Sequence, residues 1–233
     1  MNIDEGLEIA RKQVNNFSHV HKFGSNPQVH DTNPETVWSQ GGLYPWSALN
    51  NAETIYVLST SGSDTAQVTV EGLDSNYNFI TQTKTMSGST AITLDSPMRR
   101  VFRMSYTDTT ANAGTITARV TSASGTVVGR IDADLGSSLM ALYSIPATQV
   151  GYLLAYTVSV EKDNDAQINL FVREFGQVFR LKSEVETYNN SFTQNFIVPL
   201  RLPPKTDLDF RAVSPVAGGK KVYLNFDLLL EDI

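Results

Sequence analysis

The chain contains no cysteine. That excludes disulfide staples, thiolate zinc sites, iron–sulfur clusters and cysteine nucleophiles, and leaves stability to packing. Histidine is scarce: His19, His21 and His30 are the three copies, all near the start of the chain. A serine nucleophile needs a histidine base, these three are remote in sequence from every later serine, and Gly-x-Ser-x-Gly is absent, so no hydrolase triad is expected. No apolar run approaches the roughly 20 residues that span a bilayer, so no membrane partner is expected. The opening MNIDEGLEIARKQ carries early acids and lacks the apolar h-region of a secretory signal, which predicts folding in a cytoplasm. Charged residues are only 18% of the chain, against about 25% in an average soluble protein. Eighteen Lys and Arg face 24 Asp and Glu, a net charge of −6 with a sequence pI near 5.0. A polyanion such as nucleic acid is therefore not the expected partner.

What is present is a 233-residue chain, 41% hydrophobic, rich in Ser, Thr, Asn and Gly. Such a length buries roughly 70 to 75% of its unfolded surface. Ile3, Leu7, Ala10, Val14 and Phe17 recur at helical spacing, which predicts a helix over 1–17 with one apolar stripe. Two heptads of stripe are too short to be stable alone in water and must pack on the body, on a copy of itself or on another protein; the expectation is a closed homo-oligomer, a trimer first. Residues 18–50 hold three prolines, a Gly pair and no sustained period, and are read as an extended arm. The aromatics Phe17, Phe23, Trp38, Tyr44 and Trp46 sit in or beside it and are costly to leave in water, so they are expected to dock into a protein partner, with a sugar face as the competing reading.

Beyond residue 50 the period becomes two. Val68 and Val70 alternate with Gln67, Thr69 and Glu71, and Ile116, Ala118 and Val120 alternate with Thr115, Thr117 and Arg119. A second block begins near Ser137. There Val150, Tyr152, Leu154, Tyr156, Val158 and Val160 are expected to face inward, with Leu153 breaking the pattern, opposite Ala166, Ile168, Leu170 and Val172. Val222, Leu224, Phe226, Leu228 and Leu230 repeat it at the end of the chain. Glu161–Asp165 reads as a hairpin turn, Gly129–Gly136 as a linker, and Pro199, Pro203 and Pro204 as markers of a sheet edge or loop. The predicted fold is all-β: a first sandwich over 51–131 and a second over 137–233, antiparallel and jelly-roll-like, after a helix and an arm.

No constellation predicts chemistry, and no enzyme activity is expected. Paired carboxylates occur at Asp132/Asp134, Asp163/Asp165 and Asp207/Asp209, each read as solvated in a turn or at a strand edge rather than as a glycosidase pair. Asp163-Asn164-Asp165 lacks the Gly and distal Glu of a calcium loop, His-x-His has no further ligand at metal-site spacing, and phosphate-loop and dinucleotide fingerprints are absent, so no metal or cofactor is expected. Arg99, Arg100 and Arg103 form a basic cluster on a strand, read as a solvated face or a surface for a partner's acids.

The strings HKFGSNPQV, ETVWSQGGLYPW, VEGLDSNYNFI, LYSIPATQVGYLLAY, FVREFGQVFRLKSEV, VPLRLPPKTDLDFRA and NFDLLLED together resemble a family of virion structural proteins of tailed bacteriophages, many of them marine. The resemblance runs from about His21 to the C-terminus. It implies a non-enzymatic particle component assembled in the host cytoplasm. A capsid decoration protein held by its arm to the major capsid protein or other virion proteins is the first reading, a neck or tail accessory protein the second. A carbohydrate-binding adhesin, with Tyr188 and Phe192 exposed, is the third.

Overall fold

A computed structural model describes residues 3–30, 32–162, 164–188, 190–214 and 219–233; the Asp163 readings lie outside them. A helix α1 (Ile3–Ala10) precedes β1 (Phe17–Val29), β2 (Glu35–Thr36) and a 3-10 turn at Trp46–Leu49. The first block follows as β3 (Ile55–Ser59), β4 (Gln67–Leu73), β5 (Phe79–Thr85), β6 (Ile92–Thr93), β7 (Arg100–Thr107), β8 (Ile116–Val120) and β9 (Val127–Ile131). The second comprises β10 (Leu142–Ser144), β11 (Gln149–Val160), β12 (Asp165–Arg173), β13 (Arg180–Tyr188), β14 (Ser191–Leu202), β15 (Asp207–Val213) and β16 (Lys220–Asp232). The protein is all-β apart from α1, and every strand pairing among the described residues is antiparallel.

The strands form four sheets: β6-β3-β8-β9 and β5-β4-β7 from the first block, β1-β16-β11-β14 and β10-β15-β12-β13 from the second, with β2 beside β15. In the first block Val68, Val70, Ile116, Ala118 and Val120 are buried, as their alternation predicts. In the second, Phe210 of β15 meets Phe226 of β16 at 5.0 Å and Tyr156 of β11 at 5.1 Å, so the two sheets bury their apolar faces against each other. Ala166, Ile168, Leu170 and Val172 and the five alternate residues from Val222 to Leu230 all lie inside. Buried apolar residues of both blocks belong to one continuous cluster.

Five expectations are corrected. The arm is not irregular: β1 pairs with β16 from Phe17 to Val29, with an irregularity after Asn26. Its inward positions before the irregularity are Val20, Lys22, Gly24 and Asn26, only one of them apolar, and buried Val29 falls after the slip, so no hydropathy period betrays the strand. Gly24 is required there, because a Cβ would stand 2.3 Å from the Ala141 nitrogen and 2.4 Å from the Val37 oxygen. Lys22 donates to the Phe102 carbonyl, and burial together with nearby Arg103 holds its ammonium pKa well below the ordinary value.

The helix stops at Ala10, and Lys12 and Asn16 adopt left-handed φ of 60° and 65°. Of the proposed stripe, Leu7 and Ala10 face solvent, Val14 and Phe17 are half-buried, and the side chain of Ile3 is outside what is described; among the described side chains of α1, Ile9 is the buried one. Glu161–Asp165 joins no hairpin, since β11 pairs with β14 and β16 while β12 pairs with β13 and β15 in the other sheet. The predicted linker begins inside β9 and is tied to the first block, where Asn112 accepts from the Gly136 nitrogen (2.8 Å) and donates to the Asp132 carbonyl (2.9 Å).

The fifth correction is of phase. The pairing of β11 with both neighbours slips between Leu153 and Ala155, and against β16 Leu154 is an extra residue. Such a bulge exchanges the faces of everything on one side of it. Gly151 and Leu153 therefore point inward ahead of the bulge, Tyr156 and Val158 after it, and Tyr152 and Leu154 turn to the outer face. Leu153→Ala should cost about 2–5 kcal/mol and Leu154→Ala far less. Urea denaturation of the two variants checks this; equal losses would contradict the bulge.

Candidate functional site

The expected docking aromatics divide. Trp38, Tyr44 and Trp46 are buried, stacked edge to face at 5.1 and 4.8 Å, and Trp46 continues to Phe179 at 5.5 Å. The Tyr44 hydroxyl donates to the Val101 carbonyl of β7 at 2.9 Å, and burial pushes its pKa up. Trp46 Nε1 donates to Asp209 Oδ2 of β15 at 2.9 Å. These rings fasten one block to the other inside the chain, which corrects their assignment to a partner. Phe17 and Phe23 remain at the surface, the latter 39% exposed.

The reading of Asp207 and Asp209 as solvated is also overturned. Along β15, Leu208, Phe210 and Ala212 are buried toward β16, and Asp207, Asp209 and Arg211 turn the other way into the seam between blocks. Arg100 grips Asp207 through both oxygens, at 2.8 and 3.0 Å, and Arg173 adds Nε at 2.9 Å and a terminal nitrogen at 2.7 Å. The Ser144 hydroxyl supplies another hydrogen bond at 2.5 Å. Asp209 accepts from Thr36 (2.8 Å), Trp46 and Arg211 (2.8 Å). Burial works against the Arg100 charge, and the hydrogen bonds and field of Asp207 outweigh it, so its pKa lies above the ordinary arginine value. Arg100 is thus neither a solvated cation nor one offered to a partner. Removing one member of a buried ion pair leaves an uncompensated charge.

The remaining sites divide in the same way. His19 and His21 both bond Asp227 Oδ1, at 2.9 and 2.8 Å, and His30 lies 3.6 Å from Glu35. No group of three or more acids and histidines is placed to hold a metal ion among the described residues. Asp132 pairs with Arg130 at 2.5 Å. Tyr188 and Phe192 are exposed, at 66% and 36%.

The surface that stands out is an edge. β13 and β14 end their respective sheets, β14 as Pro199 predicts, and both are largely exposed. The β11–β14 register passes from Leu153↔Leu200 to Ala155↔Asn195, so Phe196–Pro199 has no counterpart but Leu154. Pro199 has no N–H to give a ladder, which suits a bulge at that point. The excursion throws Ile197 and Val198 into solvent, 102% and 80% exposed. Beside them lies a groove of about 710 Å³ whose walls include Ile9 of α1, Val14, Phe17, Leu154, Phe196 and Leu229. Sequence reasoning missed this surface. Its one signal was the run Phe196-Ile197-Val198 ahead of a proline, which breaks the period of two.

No protein-family model matches the chain, and no curated protein matches it. Among solved structures it is similar, faintly, to infectious bursal disease virus Gx strain (9% identity, TM-score 0.25, covering 93% of this chain and 76% of the other). The VP2 subviral particle of infectious bursal disease virus gives 10%, 0.27, 94% and 72%. The CBM22-1–CBM22-2 tandem domain of Paenibacillus barcinonensis Xyn10C gives 10%, 0.27, 93% and 93%. Scores this low carry no argument about function.

The seam yields a prediction. Asp207→Ala strands the buried Arg100 charge and should lower stability by about 3–5 kcal/mol, measured by chemical denaturation. A loss under about 1 kcal/mol, the value of an exposed pair, would show that the seam admits water.

Proposed function

We propose that this chain is a non-enzymatic structural component of a tailed-phage particle, a capsid decoration protein that assembles as a closed homo-oligomer through the β13–β14 edge. The four sheets are read as two tandem sandwiches, the second carrying the assembly edge. The resemblance of strings such as ETVWSQGGLYPW and VPLRLPPKTDLDFRA to those of phage virion proteins supports the particle role. The observation that carries the assembly reading is the bulge at Phe196–Pro199, which exposes Ile197 and Val198 beside an apolar groove.

Adjacent aliphatic side chains left in water on a strand edge are a liability that proteins otherwise blunt with charge or cover. The occupant we assign to the groove is the Ile197–Val198 knob of a second copy. Ile197 and Pro199 themselves border the groove, so knob and groove adjoin on one face; where the knob of each copy enters the groove of the next and the rotation closes, the contacts form a ring. A trimer is the ring we assign.

Sedimentation velocity at tens of micromolar should give a species of three times the 25.6 kDa chain mass. The double variant Ile197→Asp, Val198→Asp should sediment as a folded monomer, because two carboxylates cannot enter an apolar groove unpaired. A wild-type monomer would overturn the assembly reading. Absence of the chain from purified phage particles, assayed by mass spectrometry, would overturn the virion reading.

A further inference from the structure

At the seam, above the Asp207 network, lies a second cleft of about 390 Å³. It is bordered by four cations, Arg99, Arg100, Arg173 and Lys205, and by two carboxylates, Asp207 and Glu174, in a chain that is acidic as a whole. The cations are crowded. Around the ring of Tyr77 stand the guanidinium of Arg99 at 4.9 Å, that of Arg100 at 5.5 Å and the ammonium of Lys205 at 5.5 Å; Lys205 is also 5.0 Å from Phe175. Tyr77 and Phe175 meet edge to face at 5.7 Å, one from each block, so the cleft exists only because the blocks are joined.

Asp207 neutralises Arg100 and cannot extend to the others, since its two oxygens already take two arginines and a serine hydroxyl. Arg99 and Lys205 have no carboxylate partner among the described residues. Arg99 Nε is buried without an acceptor and shielded from the cleft, so a ligand would meet the guanidinium charge and not this proton. An aromatic face offsets part of the cost of holding two like charges together, worth on the order of 1 kcal/mol each, and does not accept a buried N–H as an oxygen does. The missing element is an anion.

We propose that this cleft binds a tetrahedral oxyanion, a phosphate or sulfate group, held by Arg99 and Lys205 against Tyr77. Arg99 supplies a planar donor and Lys205 a point charge, which together suit a group with several acceptor oxygens. Phe175, 59% exposed at the rim, offers a face to a sugar ring bearing that group. The anion is therefore either free or ester-linked, and the two sources are separable.

Isothermal titration with sodium phosphate, against sodium chloride at matched ionic strength, should show saturable binding to phosphate alone. Arg99→Gln with Lys205→Gln should weaken it at least about tenfold, the loss of one or more charge-assisted hydrogen bonds. Glu174→Gln, at an exposed position, should strengthen it by removing an opposing charge, and serves if the double variant does not fold. Glucose 6-phosphate binding more tightly than phosphate, with the difference lost in Phe175→Ala, assigns an ester; equal affinities assign the free anion. Heat signals that chloride reproduces, or affinity unmoved by either the double variant or Glu174→Gln, would overturn the proposal.

Discussion

The buried carboxylate of Asp207 is the constraint on which the arrangement of this protein rests. A charge taken out of water is unfavourable by several kcal/mol unless hydrogen bonds and opposite charge replace its hydration. The replacements come from three separate stretches: Arg100 on β7, Arg173 at the end of β12 and Ser144 on β10. All three must converge for any of them to be satisfied, so the first block has one position relative to the second. Asp209, two residues along, repeats the device with Thr36, Trp46 and Arg211 and draws the segment after β1 into the same seam. Pairs of this kind add little net stability over an apolar seam, and their value lies in what they exclude. A slid or rotated packing of the blocks would leave buried charges bare.

β15 is the strand that makes this possible, because both of its faces are covered. Its apolar face meets Tyr156 and Phe226, and its charged face meets the first block and the aromatic row of Trp38, Tyr44 and Trp46. Strand edges follow the opposite logic. Sheets that close off their centre leave β13 and β14 at the rim, and the bulge there converts what alternation would hide into exposed aliphatic surface. The cationic cleft is a by-product of the same seam, where arginines are concentrated to neutralise two aspartates and one more cation pair is left over around Tyr77.

Much of the fold was legible in the sequence wherever one face of a strand is wet. The alternations at Val68–Val70, Ile116–Val120, Ala166–Val172 and Val222–Leu230 name buried residues correctly, since a half-buried strand writes its orientation into every second side chain. Legibility failed at three places for distinct reasons. In β1 the inward positions after Val20 are Lys22, Gly24 and Asn26, polar or without a side chain, and the acceptor of Lys22 lies 80 residues along the chain. In β11 a single inserted residue inverts the phase, and only Leu153, which spoiled the alternation, gave notice of it. In β15 the acids looked like surface residues because their burial depends on distant partners, Arg100 and Arg173 for Asp207 and Thr36 and Trp46 for Asp209.

The sequence by itself determined the all-β character, the inward face of most strands and the absence of thiol chemistry, because these depend on local period and on composition. The tertiary structure alone decided which strands share a sheet, that β11 and β12 part company at their turn, that the aromatic arm is spent internally, and that Ile197 and Val198 are left uncovered. Pairing and burial of charge are relations between segments tens to hundreds of residues apart. No local pattern records them, since what makes Asp207 tolerable inside the protein is an arginine 107 positions away in the chain.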